Sequence, residues 1–345
     1  MSLWATGQVS CKVTLWVCTD IGPCRKNNRG KGKEIMMYQT VSTVGLSREE
    51  WLKMRKSGIG GSDAGAICGL NPYSSPMNVY QDKITDTVED IDNEALRQGR
   101  DLEDYVAKRF MEETGLKVRR SNKMYRSKEY PFMLADVDRL VIGEDAGLEC
   151  KTASAFNADK WKDGRIPPHY LIQCLHYMAV TGKREWYIAV VILGSQFRYQ
   201  KIVWDEQVIQ KLAAIEGAFW NQHVVPREMP QPDGSKACDE VLDEYFHMAK
   251  KQSSIPLVGF DEKLERRALL LQEMKMLEQE QKQIEQEIKC FMQENEAAFN
   301  DKYQIRWTNV DTTKLDTKRL KEEKPEIYQD FVKTTTSRRF SVKAA

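Results

Sequence analysis

The run from Leu134 to Ser154, LADVDRLVIGEDAGLECKTAS, decides how the rest of the chain is read. Two strand-like runs flank a turn, Gly143-Glu144-Asp145-Ala146-Gly147. Successive strand side chains point to opposite faces, so Asp136 and Asp138 share one side of the first run. In the second run Glu149 and Lys151 share a side, and Leu148 and Cys150 take the other. Folded as a hairpin, the stretch brings two or three carboxylates and one ammonium together. Hard oxygen donors grouped in this way suit a divalent cation such as Mg2+. The lysine beside them is placed to hold a phosphate or a water. A solvated surface hairpin explains any single one of these charges better. The argument for a site is the ordered set: Asp138, ten residues, then Glu149-Cys150-Lys151, all between apolar strands.

Upstream, Ser47 opens SREEWLKMRKSG, with Glu50 completing a capping box and Gly58 as the stop. The turn Gly60-Gly61-Ser62-Asp63 then leads into a short helix, about Ser62 to Cys68, that stops at Gly69. A hydroxyl among the free N–H groups of a helix start is a natural phosphate seat, and Arg55 stands one turn before it. A plain N-cap explains Ser62 alone about as well. No G-K-[ST] follows, so this is not a Walker loop. Residues 93–114 predict a long helix with Leu102, Val106 and Phe110 as its apolar stripe and Glu103 on the stripe's edge. Glu103 faces either the carboxylate cluster or a basic partner on its own helix. Residues 116–125 predict one strand with basic content.

Downstream, residues 153–164 predict a loop with a short helix, and Pro167-Pro168 opens the helix HYLIQCLHYMAVTG. Leu171, Cys174, Leu175 and Met178 form its buried side, with Gln173 and Tyr177 on the neighbouring face. The unbroken apolar run Glu185–Leu193 predicts a strand buried on both faces. FRYQKIVW follows as a second strand, then a helix from Asp205 to about His223. Helices, hairpin, helix, two strands and helix together predict an α/β core with a mixed sheet over residues 45–225.

A Pro-rich linker and a short helix occupy residues 226–260, and a long polar helix is predicted from Asp261 to about Asn300. Leu270, Met274, Leu277, Ile284, Ile288 and Phe291 follow heptad spacing in it, with Gln281 as a polar interruption. Residues 301–345 predict a small α/β segment, either a solvated tail or a DNA-facing flap carrying Lys333, Arg338, Arg339 and Lys343.

Composition is ordinary for a globular protein: 41% hydrophobic and 30% charged over 345 residues, enough for two domains or one with an extension. With a net charge of +1, no global field draws nucleic acid, so a DNA-binding surface must be local. The eight cysteines form no C-x-x-C pair, which argues against structural zinc and for small buried residues of a reducing cytosol. No stretch is long and apolar enough to span a membrane, and no secretory signal is present. Residues 1–36 hold three cysteines and the basic run CRKNNRGKGKE without periodicity. They read as a non-native or disordered extension ahead of a start at Met36 or Met37; a basic arm touching nucleic acid is the other reading.

Four ordered blocks carry a family resemblance: Arg55 and Ser62 within MRKSGIGGSDAGAI, then QGRDLED, then Asp138-Arg139-Leu140 with LECKT, then YLIQCLHYMAVTG. Together they resemble the YqaJ type of phage recombinase nuclease, related to lambda exonuclease within the PD-(D/E)XK superfamily. The terminal SRRFSVK also resembles longer members. The resemblance implies a Mg2+-dependent deoxyribonuclease, with Mn2+ as an alternative ion. It implies a 5′-to-3′ exonuclease that resects double-stranded DNA beside a single-strand annealing protein, in the cytoplasm of a bacterial host, encoded by phage or prophage. Ring-shaped trimers occur among relatives.

Carried over residue by residue, Asp138 and Glu149 are metal ligands with the backbone carbonyl of Cys150, and Lys151 is the catalytic lysine. Glu103 is the upstream helix carboxylate, holding the ion through water or helping to hold a second one. Arg55 and Ser62 hold phosphate, and Gln173 is the helix glutamine of the site. Asp138 is preferred to Asp136 because Arg-Leu follows it. The proline expected before the first aspartate is absent, and Val137 stands there. His169 and His176 read as packing or DNA-adjacent residues. An end-independent endonuclease, a CRISPR- or helicase-associated relative, and a non-catalytic DNA-binding assembly protein remain as other readings.

Overall fold

The computed structural model describes residues 37–87 and 93–343. The expectations for residues 1–36 lie outside the described residues. The chain divides into two compact units, one running through Asp233 and one beginning at Gly234.

The first unit is built on a five-stranded sheet of β2 (Val118–Arg120), β5 (Arg139–Val141), β6 (Ala146–Ala153), β7 (Glu185–Ile192) and β8 (Gln196–Val203), in that order. β6 and β7 run parallel and every other pair is antiparallel, so the sheet is mixed. The parallel pair needs a crossover, and α5 (Pro168–Thr181) with the preceding 3-10 segment Ala155–Gly164 supplies it. A smaller antiparallel sheet joins β1 (Tyr38–Ser42), β3 (Lys123–Ser127) and β4 (Leu134–Asp136).

Alternation along the strands sorts the layers. Leu148 and Cys150 of β6 and Tyr187 and Ala189 of β7 pack against Val106, Ala107 and Phe110 of α4 (Glu94–Thr114). The opposite face of β7, with Trp186, Ile188, Val190 and Ile192, packs with Cys174, Leu175 and Met178 of α5 and with Ile209 and Leu212 of α6 (Glu206–Phe219). Burying each such aliphatic side chain stabilises the fold by roughly 1.5–3 kcal/mol. Gly147 cannot carry a side chain, because a Cβ there would lie 2.4 Å from the Trp186 indole.

α1 (Arg48–Lys56) begins with the expected box: the Ser47 hydroxyl accepts from the Glu50 N–H at 3.2 Å and Glu50 accepts from the Ser47 N–H at 2.8 Å. α2 (Gly61–Ile67) lies along α5. At Gly61 a Cβ would come within 2.5 Å of the Tyr177 ring, so glycine permits the close approach. α3 (Pro76–Ile84) completes the helices ahead of α4.

Three expectations are corrected here. The run Leu134–Val141 is not one strand: it breaks after Asp136, with β4 in the small sheet and β5 in the large one. The run 116–125 also splits, into β2 and β3, at Ser121-Asn122, where Asn122 adopts a left-handed φ of 50°. In each case two sheets share what reads as one strand. In the second unit, α7 (Lys236–Tyr245) precedes α8 (Asp261–Met292), which ends eight residues before Asn300. Gln293 takes a φ of 52° and the chain turns into the hairpin β9 (Ala297–Phe299) and β10 (Gln304–Arg306). Two short helices follow, α9 (Thr317–Glu323) and α10 (Pro325–Asp330). β1 was not foreseen at all.

Candidate active site

The hairpin β5–β6 puts Glu149 and Lys151 on the face of the sheet toward α5. Asp138 sits in the break between β4 and β5, where its Oδ2 accepts from the Cys150 N–H at 2.8 Å. That bond pins the two arms of the hairpin together. Glu149 is 2% exposed. Its Oε1 takes a hydrogen bond from Gln173 Nε2 at 2.7 Å and an ion pair from Lys151 Nζ at 2.5 Å. Its Oε2 is buried and, among the described residues, meets no hydrogen-bond partner. Lys151 Nζ also stands 4.6 Å from the centre of the Tyr170 ring, a cation–π contact that fixes the ammonium from the other side. Gln173 donates a second bond to Tyr177 Oη at 3.0 Å.

Across from these residues, Arg55 Nη2 donates to Ser62 Oγ at 2.9 Å. Asp63 accepts from the Gly60 N–H at 2.9 Å and pairs with Lys83 at 2.8 Å, so the loop before α2 is tied down from two sides. Trp51 carries Arg55 over its ring at 5.0 Å and donates its indole N–H to Asp136 Oδ2 at 3.0 Å. All of this closes on one cleft of about 230 Å3, lined by Arg55, Ser62, Asp138, Glu149, Lys151 and Gln173 among others. Six of the seven side chains proposed from sequence therefore share one cavity; Cys150, proposed through its backbone carbonyl alone, is not among the lining residues.

Glu103 is the exception. It lines a neighbouring hollow of about 430 Å3 that meets the first at Trp51, Asp136 and Asp138. Its carboxylate is held by the buried guanidinium of Arg139, which also donates to Asp104 Oδ1 at 2.6 Å and to the Asp138 carbonyl at 2.8 Å. Among the described residues, no three His, Cys, Asp or Glu side chains are gathered into one cation-holding group. Arg139 is the physical reason that Glu103 does not supply the third.

Burial pushes the pKa of Asp138 well above the ordinary carboxylate range, and Glu149 and Glu103 add to the rise. Burial also raises Glu149, against the pull of Lys151. Asp136 is raised for the same first reason. Burial opposes the Lys151 charge, but Glu149 and Asp138 together outweigh it and keep the ammonium protonated. Burial likewise opposes the Asp63 charge, and Lys83 and Arg55 hold its pKa down at about 2.

The donor set fits a divalent cation. Two carboxylates, Glu149 buried and Asp138 half-buried, crowd each other, and among the described residues the buried Glu149 Oε2 has no partner. An oxygen-seeking cation would relieve both.

Sequence reasoning passed over Trp51, Tyr170, Arg139 and the Asp63–Lys83 pair. Trp51 has a visible sign, since it lies one helical turn from Arg55 on the same face. Arg139 has another, a charge inside the strand Arg-Leu-Val. His176 is fully buried; its Nδ1 meets Glu216 at 2.9 Å and its Nε2 meets the Leu134 carbonyl at 2.8 Å. It thus anchors β4, and with it the approach to Asp136, as a packing residue. His169 does not line the cleft, and burial together with Lys151 lowers its pKa to about 4.

A model of the YqaJ-like viral recombinase domain matches residues 50–184. The uncharacterized protein YqaJ of Bacillus subtilis (strain 168) is 39% identical over 302 residues, covering 86% of this chain and 95% of that one. Among solved structures, an alkaline exonuclease (LHK-Exo) from Laribacter hongkongensis is 20% identical, with a TM-score of 0.46, over 58% of this chain and all of that one. A phage related exonuclease from Haemophilus somnus 129PT is 14% identical, with a TM-score of 0.39, over 49% of this chain and 96% of that one. With such identity along nearly the whole of both chains to the Bacillus protein, the chain belongs to the YqaJ-like viral recombinase family.

Proposed function

We propose that this chain is a phage-type DNA nuclease that requires a divalent cation and resects double-stranded DNA from an end. The observation that carries the reading is the Glu149 carboxylate, buried beside Asp138, with one oxygen held by Gln173 and Lys151 and the other unpartnered. A buried carboxylate oxygen without a donor is costly, and a bound cation would offset that cost.

Asp138, Glu149 and the backbone carbonyl of Cys150 would hold the ion, Mg2+ first and Mn2+ as a substitute. When bound, such an ion acidifies a water and neutralises charge on the scissile phosphate. Lys151, fixed between Glu149 and the Tyr170 ring, adds a positive charge beside the phosphate where negative charge develops. Gln173 holds the Glu149 carboxylate in orientation. The Arg55 guanidinium, already directed at Ser62, offers paired donors to a further phosphate, a 5′-terminal one in an end-dependent enzyme. Glu103, one oxygen of which is held by Arg139, would join the site through water or at a second ion.

The same reading takes double-stranded DNA as substrate, 5′-to-3′ polarity, a single-strand annealing protein as co-worker, and assembly into an oligomer such as a trimer. It sets the work in the cytoplasm of a bacterial host. Among the described residues no helix is long and apolar enough to cross a membrane.

Linear duplex DNA labelled at either end, beside a closed circle, tests the reading. With Mg2+ the linear molecule should be consumed from its 5′ ends and the circle left whole, and excess EDTA should stop the reaction. Cutting of the circle would move the assignment to an endonuclease. DNA that is bound but never cut, with either Mg2+ or Mn2+, would leave a non-catalytic binding protein.

A further inference from the structure

Along α8, Leu270, Met274, Leu277, Ile284, Ile288 and Phe291 follow one another by steps of four and three, and Gln281 fills the remaining place. They form an a/d seam of three heptads, about 32 Å long at ~1.5 Å per residue. Apart from the half-buried Ile288, the seam is bare: Leu277 is 64% exposed and Phe291 84% exposed. An exposed apolar row of this length, with Leu269, Leu271 and Met276 exposed beside it, marks a contact with another helix.

The flanks say which kind of helix. The g positions beside the seam are Glu273, Glu280 and Glu287, and the e positions include Glu278 and Glu285. Lys275, Lys282 and Lys289 all fall at b, on the back of the helix, away from the contact. Arg266 reaches only Glu273, at 3.4 Å. A second copy packed in parallel would set Glu273 against Glu278 and Glu280 against Glu285. An antiparallel copy would set g against g and e against e, again glutamate against glutamate. Like charges across the e and g positions disfavour that pairing, and opposite charges select the partner.

We propose that α8 is a docking helix for a different protein, whose amphipathic helix carries an apolar seam flanked by Lys and Arg. A second copy of this chain is not its occupant. The helix alone carries the proposal, whatever the chemistry of the cleft.

Three synthetic peptides of four heptads test this against the full chain: Leu at a and d with Lys at e and g; the same core with Glu at e and g; and a scrambled version of the lysine peptide. Fluorescence anisotropy should give the lysine peptide at least tenfold tighter binding than the glutamate peptide, and no saturable binding of the scramble. Ile284→Glu with Leu277→Glu should abolish binding. Changing Glu273, Glu278, Glu280, Glu285 and Glu287 to Lys should reverse the preference. These positions are exposed, so helix content by circular dichroism should be unchanged in both variants. Equal binding, no binding, or no reversal overturns the proposal. So does self-association of the wild-type chain in sedimentation that the two seam substitutions dissolve.

Discussion

The two faces of β6 differ more than any two helices of the molecule. Toward α4 the strand offers Leu148 and Cys150 to Phe110 and Val106, an apolar contact with nothing left to satisfy. Toward α5, one residue along, it buries Glu149 and Lys151 against Gln173 and Tyr170. An apolar filling would stabilise the second face better than an ion pair does. The proposed nuclease reading makes this face, with its crowded carboxylates of raised pKa, a surface kept for chemistry rather than for stability. One strand thus divides the labour by alternate residues, and the two faces should fail in different ways.

The largest effect should come from the charged face. Lys151→Ala removes the only ammonium that lines the cleft among the described residues. Cleavage should fall by on the order of 10³-fold, while DNA affinity in the presence of Ca2+ stays within a few-fold. If binding collapses along with cleavage, Lys151 belongs to the binding surface and the contrast between the faces is lost. The apolar face should answer in stability: Phe110→Ala should lower the unfolding free energy by about 3–5 kcal/mol. Activity per folded molecule should stay near wild type, as read by denaturant titration beside single-turnover rates. A specific loss of rate without loss of stability would mean that α4 governs the chemistry directly.

A smaller effect belongs to the opposite wall. Arg55→Ala removes the guanidinium that faces Ser62. Digestion of 5′-phosphorylated ends should slow about tenfold, and ends carrying a 5′-hydroxyl should be much less affected. Equal losses on both substrates would take Arg55 out of end recognition and leave it as a brace for the Asp63 loop.

Much of this was legible in the chain. The order Glu149-Cys150-Lys151 assigns faces by simple alternation, and the Ser47–Glu50 box marks where α1 begins. The Pro167-Pro168 start and the Gly182 stop frame α5, and Gly182 adopts the expected left-handed φ of 70°. Other features were hidden because they depend on pairs far apart in sequence. Nothing local tells that Arg139 captures Glu103, 36 residues upstream, nor that His176 bridges Glu216 to the Leu134 carbonyl. The break after Asp136 was hidden for a related reason. Strand propensity is continuous through Val137, and only the presence of a second sheet divides it. Local chemistry therefore named the residues of the cleft, and long-range pairing decided that one of them, Glu103, is held aside.

The smallest predicted effect separates function from stability most directly. Asp138 is raised well above its ordinary pKa by burial and by Glu149 and Glu103. A carboxyl group whose folded pKa exceeds its unfolded one binds more protons in the folded state across the interval between the two values. Stability contributed by its neutral form is therefore full below the ordinary value of about 3.9 and is lost as pH rises toward the raised value. At neutral pH, well above the ordinary value, the metal-free protein carries that penalty. Asp138→Asn removes the charge and keeps an oxygen to accept the Cys150 N–H. It should raise the stability of the cation-free protein at pH 7 by about 0.5–2 kcal/mol, a rise of about 2 °C or more in Tm. The gain should shrink as pH falls toward 4 and should vanish against wild type in saturating Mg2+, where the native carboxylate is satisfied. The substituted protein should not cleave. If Asp138→Asn instead loses stability at neutral pH without cation, the carboxylate is a structural anchor, and the case for a surface held ready for a cation fails at its central residue.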